Sequence, residues 1–142
     1  MCDEKALREQ GDRLMLRFDA NGLVTAMVVD FEDNAPLMLA HMNEEAVAKT
    51  IETGKAHFFS RSRQKIWCKG ESSGNTLEVH EIRIDCDQDA LWLSVTINGH
   101  GAACHTGQKS CFYRRIVHKD GETRLESTGA EPLFDPDTVY GN

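Results

Sequence analysis

Two short segments hold residue types that could do chemistry. In Asp85-Cys86-Asp87-Gln88-Asp89 carboxylates stand at every second position. Like charges so close repel one another unless a cation or water separates them. On an extended backbone the three carboxylates would share one face and Cys86 would point the other way. In a tight turn that parity breaks after Asp87. Hard oxygens and a soft sulfur alternate, so the segment could serve two different metals; the plain alternative is a solvated acidic turn. The second segment, Cys104-His105-Thr106-Gly107-Gln108-Lys109-Ser110-Cys111, sets two cysteines seven positions apart around a glycine. They can converge on one ion, although the spacing is not that of a CxxC knuckle. With Cys86 they make three thiolates, one short of a closed structural zinc site. Three protein ligands are what a catalytic zinc keeps, with water in the fourth position acidified to a pKa near ~7. His105 could be a fourth ligand, a free proton shuttle or an ordinary surface histidine.

A third stretch runs from Phe58-Phe59-Ser60-Arg61-Ser62-Arg63 through Trp67 and Lys69 to the loop Gly70–Asn75. Arginines two apart on an extended segment project to one side and can fork onto phosphate oxygens. Ser72 and Ser73, flanked by glycines, offer hydroxyls and backbone N–H groups to the same anion. No GxxxxGK[ST] pattern is present, so this is not a Walker A loop. The net charge, 16 basic against 23 acidic residues or −7, argues against a general nucleic-acid binder. Its distribution says more. Residues 61–70 carry four basic groups and no acid, residues 90–119 carry no acid, and the chain from Asp120 onward carries six acids against Arg124 alone. Two acid-free segments in an acidic protein can assemble a local anion site, or can be plain solvated loops.

Several elements must position these groups. Leu23–Val29 reads as a buried strand after the Asn21-Gly22 turn, and Leu37–Ala40 as a short strand opened by Pro36. Asn43 is a natural N-cap, Glu44 and Glu45 suit the positive helix end, and Gly54 fits the C-terminus. Ala46, Val47, Thr50 and Ile51 recur at helical spacing, so the pattern predicts a helix over 44–53. Strands are expected at 56–60, 76–85, 91–97 and 111–117, with a flexible loop at 70–75. The DCDQD segment forms a hairpin turn and Lys119-Asp120-Gly121 another. Many strands and one sure helix make an α+β domain built mainly of antiparallel sheet.

The 142 residues amount to one domain, with a core over about 23–119 and an acidic C-terminal extension over 120–142 whose end, GAEPLFDPDTVYGN, is expected to pack loosely. With 40% apolar and 27% charged residues and 3 prolines, the composition excludes disordered and collagenous classes. No apolar run approaches the ~20 residues of a membrane span, and the start MCDEKALREQGD is too charged for a signal peptide. A cytoplasmic location follows, in which the five cysteines stay reduced. Cys2, in a polar terminus, and Cys68, in the basic segment, stand apart from the cluster of Cys86, Cys104 and Cys111.

Together these pieces spell metal-hydroxide attack on a phosphorylated small molecule. A structural-zinc interaction module would need four saturated ligands and no DxDxD run, and a redox protein would be expected to show CxxC. The runs AHMNEEA, TGKAHFFSRSR, IWCKGESSGN, DCDQDA and CHTGQKSCF, in matching order from Leu37 to Phe112, resemble the phosphoribosyl-AMP cyclohydrolases of histidine biosynthesis. His41, Phe58-Phe59 and Ser72 depart from that family's usual residues, and none is a candidate metal ligand. The resemblance implies hydrolysis of the N1–C6 bond of the adenine ring of 1-(5-phosphoribosyl)-AMP. It implies an intertwined homodimer with one zinc per subunit, held by Cys86 of one subunit and Cys104 and Cys111 of the other. It implies magnesium at Asp85, Asp87 and Asp89. The two 5′-phosphates of that substrate would account for the acid-free segments and give Arg61, Arg63, Lys69, Ser72 and Ser73 their ligand. His105 is the candidate for the proton transfers. Neither nucleic acid nor a membrane is an expected partner.

Overall fold

The computed structural model describes residues 3–140, so Cys2 lies outside the described residues. In chain order the elements are α1 (Glu4–Gln10), β1 (Val24–Asp30), β2 (Pro36–Met42), α2 (Glu44–Thr53), β3 (His57–Ser60), β4 (Lys65–Cys68), β5 (Leu77–Ile84), β6 (Ala90–Ile97), β7 (Arg114–Lys119), β8 (Glu122–Ser127) and α3 (Pro136–Tyr140). The main sheet has the order β2-β1-β6-β5, and two hairpins, β3-β4 and β7-β8, stand apart from it. Every pairing is antiparallel except the central one, where β1 and β6 run parallel. The architecture is α+β with few helices and mostly antiparallel sheet. Among the described residues no helix is long and apolar enough to cross a membrane.

Alternation decides which face of the sheet is buried. Val24, Ala26 and Val28 of β1 lie beside Leu91, Leu93 and Val95 of β6, and Phe58 of β3 joins them in one core cluster that runs from Val24 to Ala103. Removing a side chain the size of Phe58 from water contributes about 1.5–3 kcal/mol. Helix α2 covers this face with Ala46, Val47 and Thr50, while Ile51, expected on the same stripe, is exposed. It follows Thr50 by one residue, roughly 100° further around the helix. The Asn43 side chain accepts from Ala46 N at 2.8 Å, and Gly54 takes the left-handed conformation at φ 73°. Thr50 Oγ1 donates to Ala46 O at 2.8 Å and accepts from His57 N at 2.9 Å, tying α2 to β3.

Three boundaries differ from expectation. Strand β4 falls inside the acid-free run 61–70, where no strand was expected. Strand β7 begins at Arg114 rather than Cys111, because Cys111 N is held by Leu37 O (2.7 Å) as part of a loop. The extension is not uniformly loose: β8 pairs with β7 across Asp120 (φ 53°) and Gly121 (φ 77°), and Phe134 is buried.

Candidate active site

A cleft of about 600 Å³ opens between the end of β2, the β3-β4 hairpin and the loop that follows it. Arg61, Arg63, Lys69, Ser72, Ser73 and His105 all line it, so the expected anion-binding residues and the expected proton carrier meet in one place. Arg61, Arg63 and His105 are exposed, as a diffusing ligand requires, whereas Lys69 is only 8% exposed. Burial lowers the pKa of the Lys69 ammonium, opposed by the nearby Cys111 and Cys104 thiols, and its Nζ lies 5.8 Å from the Trp67 ring centroid. His41 also lines the cleft, a position the sequence marked only as a departure from the family pattern. Burial and the Arg61 charge lower its pKa, against the pull of Asp19.

The loop after β4 is closed by its own backbone. Gly74 N donates to Gly70 O at 2.8 Å, and at Gly70 (φ 86°) a Cβ would collide with the Asn75 backbone. Buried Asn75 supports the loop, its Oδ1 accepting from His100 N at 2.6 Å. Sequence reasoning missed Asn75, since nothing in GESSGN separates it from its polar neighbours.

The second cysteine segment also folds back on itself. Ala103 N donates to Lys109 O (2.9 Å), Cys104 N to Gln108 O (3.1 Å) and Gly107 N to Cys104 O (3.1 Å). Ser110 Oγ donates to Pro36 O at 2.7 Å, and Lys109 Nζ pairs with Asp30 at 3.1 Å. These ties bring the Cys104 and Cys111 thiols close enough to interact electrostatically. Although Cys111 as a residue is exposed, desolvation of its thiol and then the Cys104 sulfur push its pKa up to about 12, with Lys69 acting against them. Thr106 Oγ1 donates to Cys104 Sγ at 3.0 Å. Two adjacent sulfurs cannot both carry charge unless a cation is shared between them, which is the environment of a soft metal.

Asp85, Asp87 and Asp89 sit in the turn between β5 and β6, their ligand oxygens within 4.8 Å of one another. Asp85 Oδ1 accepts from Asp89 N (3.0 Å) and Ala90 N (3.1 Å). The turn therefore keeps all three carboxylates together even though the backbone is not extended. Hydrogen bonding to Asp85 and then Asp87 raises the Asp89 pKa, as expected of carboxylates sharing one site. This donor set fits a hard divalent cation. Gln88, buried in the same turn, accepts from Met15 N at 2.7 Å and donates to Arg8 O at 2.8 Å, fastening the N-terminal segment.

Cys86 is exposed and does not complete the Cys104/Cys111 pair. Among the described residues, the aspartates are the one cluster of three or more candidate ligands within that range. The structure thus unites the cleft residues, the thiol pair and the aspartates locally, and leaves Cys86 apart within a single chain.

The family model for phosphoribosyl-AMP cyclohydrolase matches residues 38–113. A protein of Rhizobium leguminosarum named phosphoribosyl-AMP cyclohydrolase is 57% identical over 139 residues, covering 98% of this chain and 92% of its own. One of the same name from Sinorhizobium fredii is 56% identical over 137 residues, covering 96% and 90%. Another from Brucella anthropi is 57% identical over 128 residues, covering 90% of each chain. With the family model matching more than half of the chain and identity of this level across nearly all of it, the protein belongs to the phosphoribosyl-AMP cyclohydrolase family of hydrolases.

Proposed function

We propose that the chain opens the adenine ring of 1-(5-phosphoribosyl)-AMP by zinc-dependent hydrolysis of its N1–C6 bond, a step of histidine biosynthesis. The observation that carries this reading is the convergence of Arg61, Arg63, Lys69, Ser72, Ser73 and His105 on one cleft whose buried lysine senses the Cys104 and Cys111 thiols. Cys104 and Cys111 would hold one zinc per subunit with Cys86 of a second copy, and Asp85, Asp87 and Asp89 would hold magnesium. When bound, zinc supplies water acidified to a pKa near ~7, and magnesium a hard positive charge that suits phosphate oxygens.

The chain's own residues account for the rest. The two arginines and the serine loop hold phosphates that change little during the reaction. Ribosylation at N1 makes C6 electrophilic, so a water oxygen adds there and the N1–C6 bond breaks. Purine deaminases use a comparable addition, but expel the exocyclic amine. Here the departing ring nitrogen needs a proton, and His105 stands in the cleft to deliver it.

The homodimer reading is supported by an apolar row in which Leu39 and Trp92 are exposed and Met27 is half-buried. Leu39, Met27 and Trp92 are side-by-side neighbours on β2, β1 and β6, on the face away from the core. A hollow of about 340 Å³ lined by Met27, Ile84, Asp85 and Trp92 continues this row to the turn that carries Cys86, while Leu39 at its other end borders the cleft. A second copy seated two-fold on this face would bring the Cys86 end of one chain to the cleft end of the other. The reading includes a cytoplasmic location, where the metal-binding thiols stay reduced.

The test is incubation of purified protein with phosphoribosyl-AMP, followed by chromatography of the product. Ring opening that stops with a zinc chelator and returns with added zinc is expected. No ring opening by zinc-loaded protein, or an undiminished rate in zinc-free protein, would contradict the reading.

A further inference from the structure

The C-terminal tail lies beyond the stretch 38–113 that the family model matches, yet it is built into the cysteine loop. Leu133 N donates to Gly107 O at 2.6 Å, and Gln108 Nε2 donates to Ala130 O at 3.2 Å. Gly107 takes φ +93°, and a Cβ there would collide with the Phe134 carbonyl oxygen, so loop and tail backbones approach as closely as only glycine permits. Phe134 is 9% exposed, and its ring lies 5.0 Å from that of His100. His100 N is in turn bonded to Asn75, at the base of the serine loop. None of these tail residues belongs to the core cluster, whose last member is Ala103. The tail therefore contributes little to the core but fastens the apex of the Cys104–Cys111 loop.

We propose that residues 130–134 clamp the Cys104–Cys111 loop in the shape in which its two thiols share one metal ion. Leu133 and Phe134 are then positioning residues for that metal. The inference rests on the zinc reading above and adds the tail as the outer support of the zinc ligands. Such supports tune metal affinity because they fix ligand orientation before the metal arrives.

The test compares the unaltered protein with Phe134→Ala and with a chain ending at Thr128, which keeps the β7-β8 hairpin. Zinc affinity is read by competition with a chromophoric chelator, and cobalt(II) reports thiolate ligation by its charge-transfer absorption. Zinc binding about 10–100-fold weaker in both variants, with a weakened cobalt–thiolate band, is expected, since outer-shell substitutions typically cost that much. The unfolding midpoint of the metal-free chain should fall in Phe134→Ala as well, since a buried ring is lost, and Phe134→Leu should retain most of the affinity. A merely structural tail would lower that midpoint equally but leave the zinc affinity and the cobalt spectrum of the folded protein unchanged, which overturns the clamp. Cys104→Ala separates the two levels of the argument. If it loses zinc while both tail variants bind normally, the clamp alone fails. If it binds zinc as the unaltered protein does, the zinc reading fails and the clamp with it.

Discussion

Cys104→Ala, Cys111→Ala and Cys86→Ala should each reduce ring opening to background and lower the zinc content per chain. For the first two the cause lies within one chain. Their thiols interact within one chain, and removing either leaves a single sulfur that cannot hold the ion in place. Cys104 is buried, and its replacement by the smaller alanine also leaves a small void of modest cost. Cys86 is exposed and touches neither partner in its own chain, so Cys86→Ala should leave the unfolding midpoint of the metal-free chain nearly unchanged. A large catalytic loss without a stability loss at an exposed position is the signature of a ligand. Metal analysis beside steady-state kinetics checks this, and full activity in a zinc-depleted Cys104→Ala protein would contradict it.

His105→Ala should lower kcat by about 10²–10⁴, the usual contribution of an acid–base group, with zinc content intact. His105 is exposed at the cleft wall, next in sequence to Cys104, within reach of a bound ligand. Arg61→Ala and Arg63→Ala should behave differently. They remove charges that meet phosphates in ground state and transition state alike, so KM rises and kcat changes little. An unchanged kcat in zinc-loaded His105→Ala protein, at saturating substrate with chemistry rate-limiting, would remove His105 from the reaction. A fall in zinc content would make it a ligand instead.

How much of this was legible in the sequence depended on the range of the interactions. Helix α2 could be read to the residue because cap, first turn and C-terminal glycine are all local signals. Strand β5 was legible as a strand, but its register shift between Val79 and Glu81 was not. The parallel pairing of β1 with β6 left no trace, since it joins segments separated by most of the domain. Strand β4 was hidden because four residues flanked by charged positions are too short to show an alternation. The docked tail was hidden because its proline- and acid-rich composition matches loose chain, and one phenylalanine carries the packing. At the site, residue types announced the candidate metal-binding thiols and carboxylates and the arginines that line the cleft. Asn75 and His41 were not announced, because their roles come from position alone. Cys86 was read as a candidate ligand from its motif, and the single chain leaves it apart from Cys104 and Cys111.

The most direct measurement is subunit complementation between Cys86→Ala and Cys104→Ala proteins, each inactive by itself. A mixed dimer has one site with both defects and one with all three cysteines intact. After verified subunit exchange, zinc-dependent ring opening should return, approaching half the unaltered rate per mixed dimer. No recovery in mixed dimers shown to have formed would mean that the metal centre is built within one chain, and the shared site would be wrong.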